Sequence, residues 1–336
     1  MAKTMTLKRQ SKTNRTDKNL VNKNHAYKNL MNKKSFWQML RSDFKKHRYL
    51  YFMFLPVVLY YLLFLYVPMA GQVIAFQNYR PAKGILNSTW VGFDNFIRFF
   101  NSPFAFRVIK NTIVISFFEI IIGFPAPIFL ALMLNELRGK KFKKFAQTVT
   151  YMPHFISLVV VCGMVINFVS SKGVITNLLL AFGIDSQNLL SNPRYYVAIY
   201  VLSGVWQSIG WGSIIYLATL SGVDQNLYEA ASIDGAGRFA KLRHISFPSL
   251  IPIIAVQLII RIGHLMSQGA EKVILLYSPV VYETADTIAS YVYRAGLQEQ
   301  NYSLGAAVGM FNSVINLSMV FLANWFSRKF VKESLW

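Results

Sequence analysis

Six long stretches of this chain are nearly free of charge, and no other feature restricts its fold so strongly. Residues 49–79, 145–171, 195–223 and 301–327 contain no Asp, Glu, Lys or Arg; residues 111–135 carry only Glu119, and residues 245–270 only Arg261. A membrane crossing takes about 20 predominantly apolar residues. In hydrocarbon an isolated segment of that length satisfies its own backbone only as a helix. The expected fold class is therefore an all-α integral membrane protein with six transmembrane helices. Only 15% of its 336 residues are charged, against about 25% in an ordinary soluble domain, which excludes a purely soluble enzyme.

The net charge of +21 is unevenly placed. Fourteen of the 35 Lys and Arg residues fall in residues 1–48. Residues 1–33 are polar and lack the apolar periodicity that repays ordering entropy, so a disordered basic tail is expected there. It has no apolar core of the kind a signal peptide carries. Residues 34–48 bring Phe36, Leu40 and Phe44 to one helical face beside Trp37, with Arg41, Lys45 and Lys46 elsewhere, the pattern of a short interfacial helix. The connections 136–144, 224–244 and 328–336 hold 11 Lys and Arg in 39 residues; the alternate connections 80–110, 172–194 and 271–300 hold 9 in 84. Basic residues stay on the cytoplasmic side, so both termini are expected inside, with the tail against anionic lipid rather than nucleic acid.

No catalytic constellation is legible. The chain lacks a G-x-x-x-x-G-K-[ST] phosphate loop and an H-E-x-x-H pair, its five histidines have no metal-ligand spacing, and Cys162 sits alone within an apolar run. The expectation is a protein that is not an enzyme and carries no metal or cofactor of its own.

The connection 224–248 is the most informative segment. Residues 225–234 favour a helix with small alanines exposed, and Gly235 and Gly237 can supply the positive φ of a sharp turn. Phe239, Leu242 and Ile245, spaced three apart, start a second short helix, and Pro248 marks where the fifth span begins. Glu229 offers a carboxylate to a basic partner. The pattern Glu229-Ala230-Ala231-x-x-Asp234-Gly235-Ala236, followed by Ile245-x-Phe247-Pro248, resembles the coupling motif of permease subunits of binding-protein-dependent ABC importers, which more often have Leu where this chain has Phe247. Further matches are W-V-G-F-D-N-F at 90–96, F-P-A-P at 124–127, L-N-E-L-R at 134–138, Y-M-P-H-F-I-S at 151–157, G-W-G-S-I-I-Y at 210–216 and Y-V-Y-R at 291–294. Together they are similar to the carbohydrate-uptake branch for complex oligosaccharides, over about residues 45–332.

That resemblance implies a permease domain over residues 49–332 in a bacterial cytoplasmic membrane. It also implies a second related permease subunit, two cytoplasmic ATPase subunits carrying ATP and Mg, an extracellular or periplasmic solute-binding protein, and an oligosaccharide substrate. The loop would act as a lever between ATP hydrolysis and the spans.

A substrate path is suggested by the fifth span, where Gln257, Arg261, His264 and Gln268 fall within an arc of about 60°. Arg near mid-membrane is costly against lipid, so this stripe should face an interior cavity or a partner, with Glu119 as the ion-pair partner of Arg261. Sugars are held by hydrogen-bonding side chains beside aromatic faces, which adds Trp206, Gln207 and Trp211. Gly204, Ser208 and Gly212 form a small-residue face expected to pack helices closely. On the sixth span Gly305, Gly309, Asn312 and Asn316 share a face, and the asparagines are counted with the path. A secondary transporter or channel would use the same stripe without an ATPase partner.

Overall fold

The computed structural model describes residues 43–137, 139–183, 189–267 and 269–330. The expected basic tail lies outside the described residues, as do Phe36, Trp37 and Leu40 of the expected interfacial helix. Residues 43–46 are helical and end in a bend at His47. The chain divides into two compact units, residues 1–71 and 72–336.

Among the described residues six helices are long and apolar enough to cross a membrane: Arg48–Phe76, Ala105–Glu136, Leu158–Ala181, Pro193–Ser221, Arg238–Gly263 and Tyr302–Lys329. They are called the first to sixth spans below. The six expected segments are all present, and the one clear displacement is the third, expected at 145–171. Residues Lys140–Tyr151 instead form a separate amphipathic helix with Phe142 and Phe145 exposed. Pro153 has no N–H to continue it and disfavours helical geometry in the residue before it. The chain then restarts at Leu158, where the Ser157 hydroxyl accepts from the Val160 N–H at 3.4 Å.

Three spans widen into π-helical turns, each ending two residues before a proline: Leu62–Tyr66 before Pro68, Glu119–Gly123 before Pro125, and Leu242–Ser246 before Pro248. In each, the residue preceding proline donates to the carbonyl five positions back, as Phe124 does to Glu119 at 2.9 Å. The proline ring would collide with the carbonyl four back, and the wider turn moves that carbonyl aside. Arg238–Gly263 is therefore one spanning helix. The expected separate short helix after Gly237 is its first turn, Arg238–Lys241, and Pro248 lies inside the span.

Within residues 72–336 an antiparallel two-residue hairpin, Gln77–Asn78 with Thr89–Trp90, precedes the helix Asp94–Phe100. Asn95 ties the two together, donating to the carbonyls of Ala75 and Gln77 at 2.9 and 3.0 Å. The second and fourth spans pack along Ala131, Leu132, Tyr216 and Leu220, joined by Leu250 of the fifth. The glycines settle how near helices come. A Cβ on Gly210 would collide with the Thr150 carbonyl, and one on Gly263 would meet Val320 at 2.6 Å.

The connection between the fifth and sixth spans is a chain of short helices folded against the second and sixth spans. Buried Asp286 organises it, pairing with Arg294 at 2.7 Å and Arg107 at 3.3 Å and accepting from Ser290 at 2.9 Å. Burial alone disfavours the Arg294 charge, but the hydrogen bonds and negative charge of Asp286 outweigh it and hold the guanidinium above its ordinary range. Asn111 adds bonds to the carbonyls of Glu283 and Asp286 at 2.9 and 3.0 Å.

Candidate functional site

The second, fourth and fifth spans enclose a cavity of about 610 Å³. The second contributes Glu119, Gly123, Phe124 and Pro127; the fourth, Gly204, Ser208, Trp211 and Tyr216 among others; the fifth, Gln257, Arg261 and His264. The π turn at Glu119–Gly123 lies on this wall. Arg261 Nη2 donates to Glu119 Oε2 at 3.3 Å, and the carboxylate is buried. Arg261 Nε is buried and has no hydrogen-bond partner among the described residues, leaving the guanidinium a donor beyond its carboxylate pair. Trp211 is half-exposed in the cavity wall and stacks on His154, with ring centroids 4.6 Å apart and planes 4° from parallel; Phe155 meets its edge.

The structure thus gathers Glu119, Trp211, Gln257, Arg261 and His264 around one space. Gln268 lies outside the described residues. Trp206, about 140° around the helix from Trp211, lines a separate apolar hollow with Phe168, Ile175 and Leu202. Gln207 reaches the Ile156 carbonyl at 3.3 Å, where it bridges the fourth span to the break before the third. Asn316 Oδ1 accepts from the Met266 N–H at 3.0 Å, and the Ser116 hydroxyl donates to the Leu265 carbonyl, so the turn after the fifth span is fastened from both sides. Neither Asn312 nor Asn316 lines the cavity.

On the small-residue face of the fourth span, Gly204, Ser208 and Gly212 line the cavity, and Gly212 also packs closely, since a Cβ there would meet Pro127 of the second span at 3.0 Å; the residue that permits close backbone approach is Gly210 on another face. On the sixth span Gly305 does cross closely, but against Gly296 of the preceding connection rather than a second span. His154, Gly123, Phe124 and Pro127 were not assigned to the path from sequence. For His154, Phe124 and Pro127 the only signal was membership of the Y-M-P-H-F-I-S and F-P-A-P motifs, and Gly123 immediately precedes the second of these.

The second candidate element is the loop 224–248. Asp224 caps the helix Gln225–Ile233 by accepting from the Asn226 N–H at 3.0 Å. The helix ends in a Schellman turn: the Ala236 N–H donates to the Ala231 carbonyl at 2.8 Å, the Gly235 N–H to the Ser232 carbonyl at 3.2 Å, and Gly235 has φ +78°. Asp234 is the C-cap residue. Glu229 and Ala230 are exposed, with Ala231 and Ala236 partly so. Leu227, Ile233 and Phe239 are also exposed, Ile233 at 87%, so an apolar surface surrounds the carboxylate. Two contacts tie the helix to the base of the fifth span: Tyr228 Oη with Ser246 Oγ at 2.9 Å, and Lys241 Nζ with Ser232 Oγ at 2.5 Å. Ile245 lies in the π turn that follows, two residues before Phe247 and Pro248 open the regular part of the span.

A polar cavity between the second, fourth and fifth spans, with an exposed helical loop before the fifth, defines a membrane transport subunit. Residues 123–332 match the family described as the binding-protein-dependent transport system inner membrane component, and the chain belongs to that family. It is a multi-pass protein of the bacterial plasma membrane. The chain is 44% identical to the polygalacturonan/rhamnogalacturonan transport system permease protein YteP of Bacillus subtilis, over 87% of this chain and 91% of that protein. It is 40% identical to LplB of the same organism, over 87% and 92%. A chain in the crystal structure of a bacterial ABC transporter that imports the acidic polysaccharide alginate is 43% identical and superposes with a TM-score of 0.81, covering 87% of this chain and 99% of that one. A second structure of the bacterial alginate transporter, in complex with an alginate pentasaccharide-bound periplasmic protein, matches with the same identity and TM-score.

Proposed function

We propose that this chain forms half of the translocation path of an ATP-driven oligosaccharide importer and is driven through the loop 224–248. The observation that carries this reading is the cavity. Glu119, Gln257, Arg261 and His264 converge with the aromatic face of Trp211 on a space of about 610 Å³, the combination of oriented polar groups and apolar wall by which small-molecule sites hold a ligand. The names of the relatives support an oligosaccharide rather than an ion. The sequence has no phosphate loop, so the energy comes from separate ATPase subunits that hold ATP and Mg and grip the exposed surface around Glu229. A second, related permease completes the path. A solute-binding protein delivers the sugar from outside, and both termini of this chain are cytoplasmic. Nucleotide and substrate then bias the same two packings of the spans, inward-open and outward-open.

Purification of tagged chain from its native membrane tests this assembly. An ATPase and a second permease should accompany it, and uptake of a short oligosaccharide in proteoliposomes should require ATP. Isolation of the chain alone, or as a homodimer, with ion-driven transport intact would establish a secondary transporter instead.

A further inference from the structure

Among the described residues Lys272 is the one buried Lys or Arg. It lies on the short helix Ala270–Leu276 after the fifth span, introduced by Gly269 at φ +42°. Its Nζ donates to the Tyr200 carbonyl at 2.6 Å and sits 4.4 Å from the centroid of the Tyr200 ring. An ammonium has three N–H donors and favours a nearby anion when removed from water. Yet among the described residues no carboxylate lies within ion-pairing distance of it, and the cavity's carboxylate, Glu119, is already paired with Arg261.

Gly204 connects this cation to the cavity. It lines the cavity wall, and the nearest atom that a Cβ there would meet is Lys272 Nζ, at 2.9 Å. Only a glycine backbone separates the ammonium from the cavity, so its field reaches the space with little intervening matter. Two cations, Arg261 and Lys272, the latter with its pKa pushed down to about 8 by burial, therefore face one carboxylate.

We infer that Lys272 is a specificity-determining residue: acting across Gly204, it leaves the transport cavity with excess positive charge and favours oligosaccharides that carry carboxylates over neutral ones of equal length. This rests on the reading of the chain as an oligosaccharide permease. It assigns charge selection to a residue that does not line the cavity and that no sequence motif singles out.

The test is uptake by the complete complex in proteoliposomes, comparing a trimer of galacturonate with the neutral trimer of galactose. Lys272→Gln should lower the acidic-to-neutral uptake ratio by about 10-fold, the scale of a charge–charge interaction across about 10 Å at an effective dielectric of about 20, while neutral uptake stays within about twofold. Lys272→Arg should keep the wild-type ratio. Equal loss of both substrates in Lys272→Gln would show that the side chain only clamps the helix to Tyr200, and an unchanged ratio would equally overturn the inference. Should Lys272→Gln fail to assemble, Gly204→Asp and Gly204→Asn decide. The two are alike in shape, and the one close neighbour of their Cβ is the flexible end of Lys272. Asp would neutralise the ammonium in place and should lower the ratio relative to Asn; equal ratios would overturn the inference. Wild-type uptake of the neutral trimer alone would also overturn it while leaving the importer reading intact. ATP-stimulated complex that carries neither trimer would instead overturn the oligosaccharide reading itself.

Discussion

Arg261 pairs with buried Glu119 and also lines the cavity, so its side chain serves two purposes that a substitution can separate. A guanidinium grips a carboxylate through parallel N–H groups, and hydrogen bonds to charged groups contribute about 1.5–3 kcal/mol. Arg261→Gln should therefore lower uptake of uronate oligosaccharides by about 10- to 100-fold more than uptake of neutral ones. Equal loss of both would mean that pairing with Glu119 is its whole role. Gly235 is constrained differently. Nothing lies within 4 Å of where its Cβ would be, so only its left-handed backbone excludes other residues. Gly235→Val should strain the turn by about 1–2 kcal/mol and reduce substrate-stimulated ATP hydrolysis. Gly235→Asn, which tolerates this conformation, should retain most of it.

Among the elements, the proposed coupling requires the loop helix Gln225–Ile233 to move with the fifth span. The Schellman turn fixes its direction, and the Tyr228–Ser246 and Lys241–Ser232 contacts bind it to the base of that span. Tyr228→Phe removes one neutral hydrogen bond, a loss of about 1 kcal/mol, without altering the exposed surface around Glu229. The expected outcome is intact assembly with ATPase subunits but more ATP hydrolysed per sugar carried. Glu229→Lys should do the reverse, weakening assembly itself, and co-purification measures that directly. The π turns at Glu119–Gly123 and Leu242–Ser246 place a proline-induced irregularity once in the cavity wall and once beneath the loop.

Across residues 72–336, Asp286 joins Arg107 of the second span to Arg294 and Ser290 of the last connection, and it is fully buried. Asp286→Asn leaves two guanidinium groups without their counter-ion, and breaking a buried pair costs about 3–5 kcal/mol. The thermal midpoint of the purified complex should fall by several degrees, with assembly impaired before transport is measured. Gly210→Leu should be at least as severe, because its side chain has no space between the fourth span and the Thr150 carbonyl. Loss of assembled complex from the membrane is the readout.

The sequence by itself determined the six spans, the loop and the polar stripe, because each rests on a local rule. Uncharged runs must become helices in lipid, a glycine after a helix can take positive φ, and residues 257, 261 and 264 share a face by helical geometry alone. Arg261 meeting Glu119 was legible because a span can afford few unpaired charges. The restart of the third span at Leu158 was less so, since the apolar run continues across Pro153 and hydropathy does not register a break in the hydrogen-bond ladder. Only the tertiary structure decided which faces meet. Hydropathy gives Trp206 and Trp211 equal weight, yet they open onto different spaces. Gly204 and Gly210 look alike in sequence, but one borders a cavity and the other a carbonyl. Lys272, in a connection read as lying outside the membrane, is buried behind a cavity wall because distant segments fold over it, and no periodicity along the chain encodes that approach.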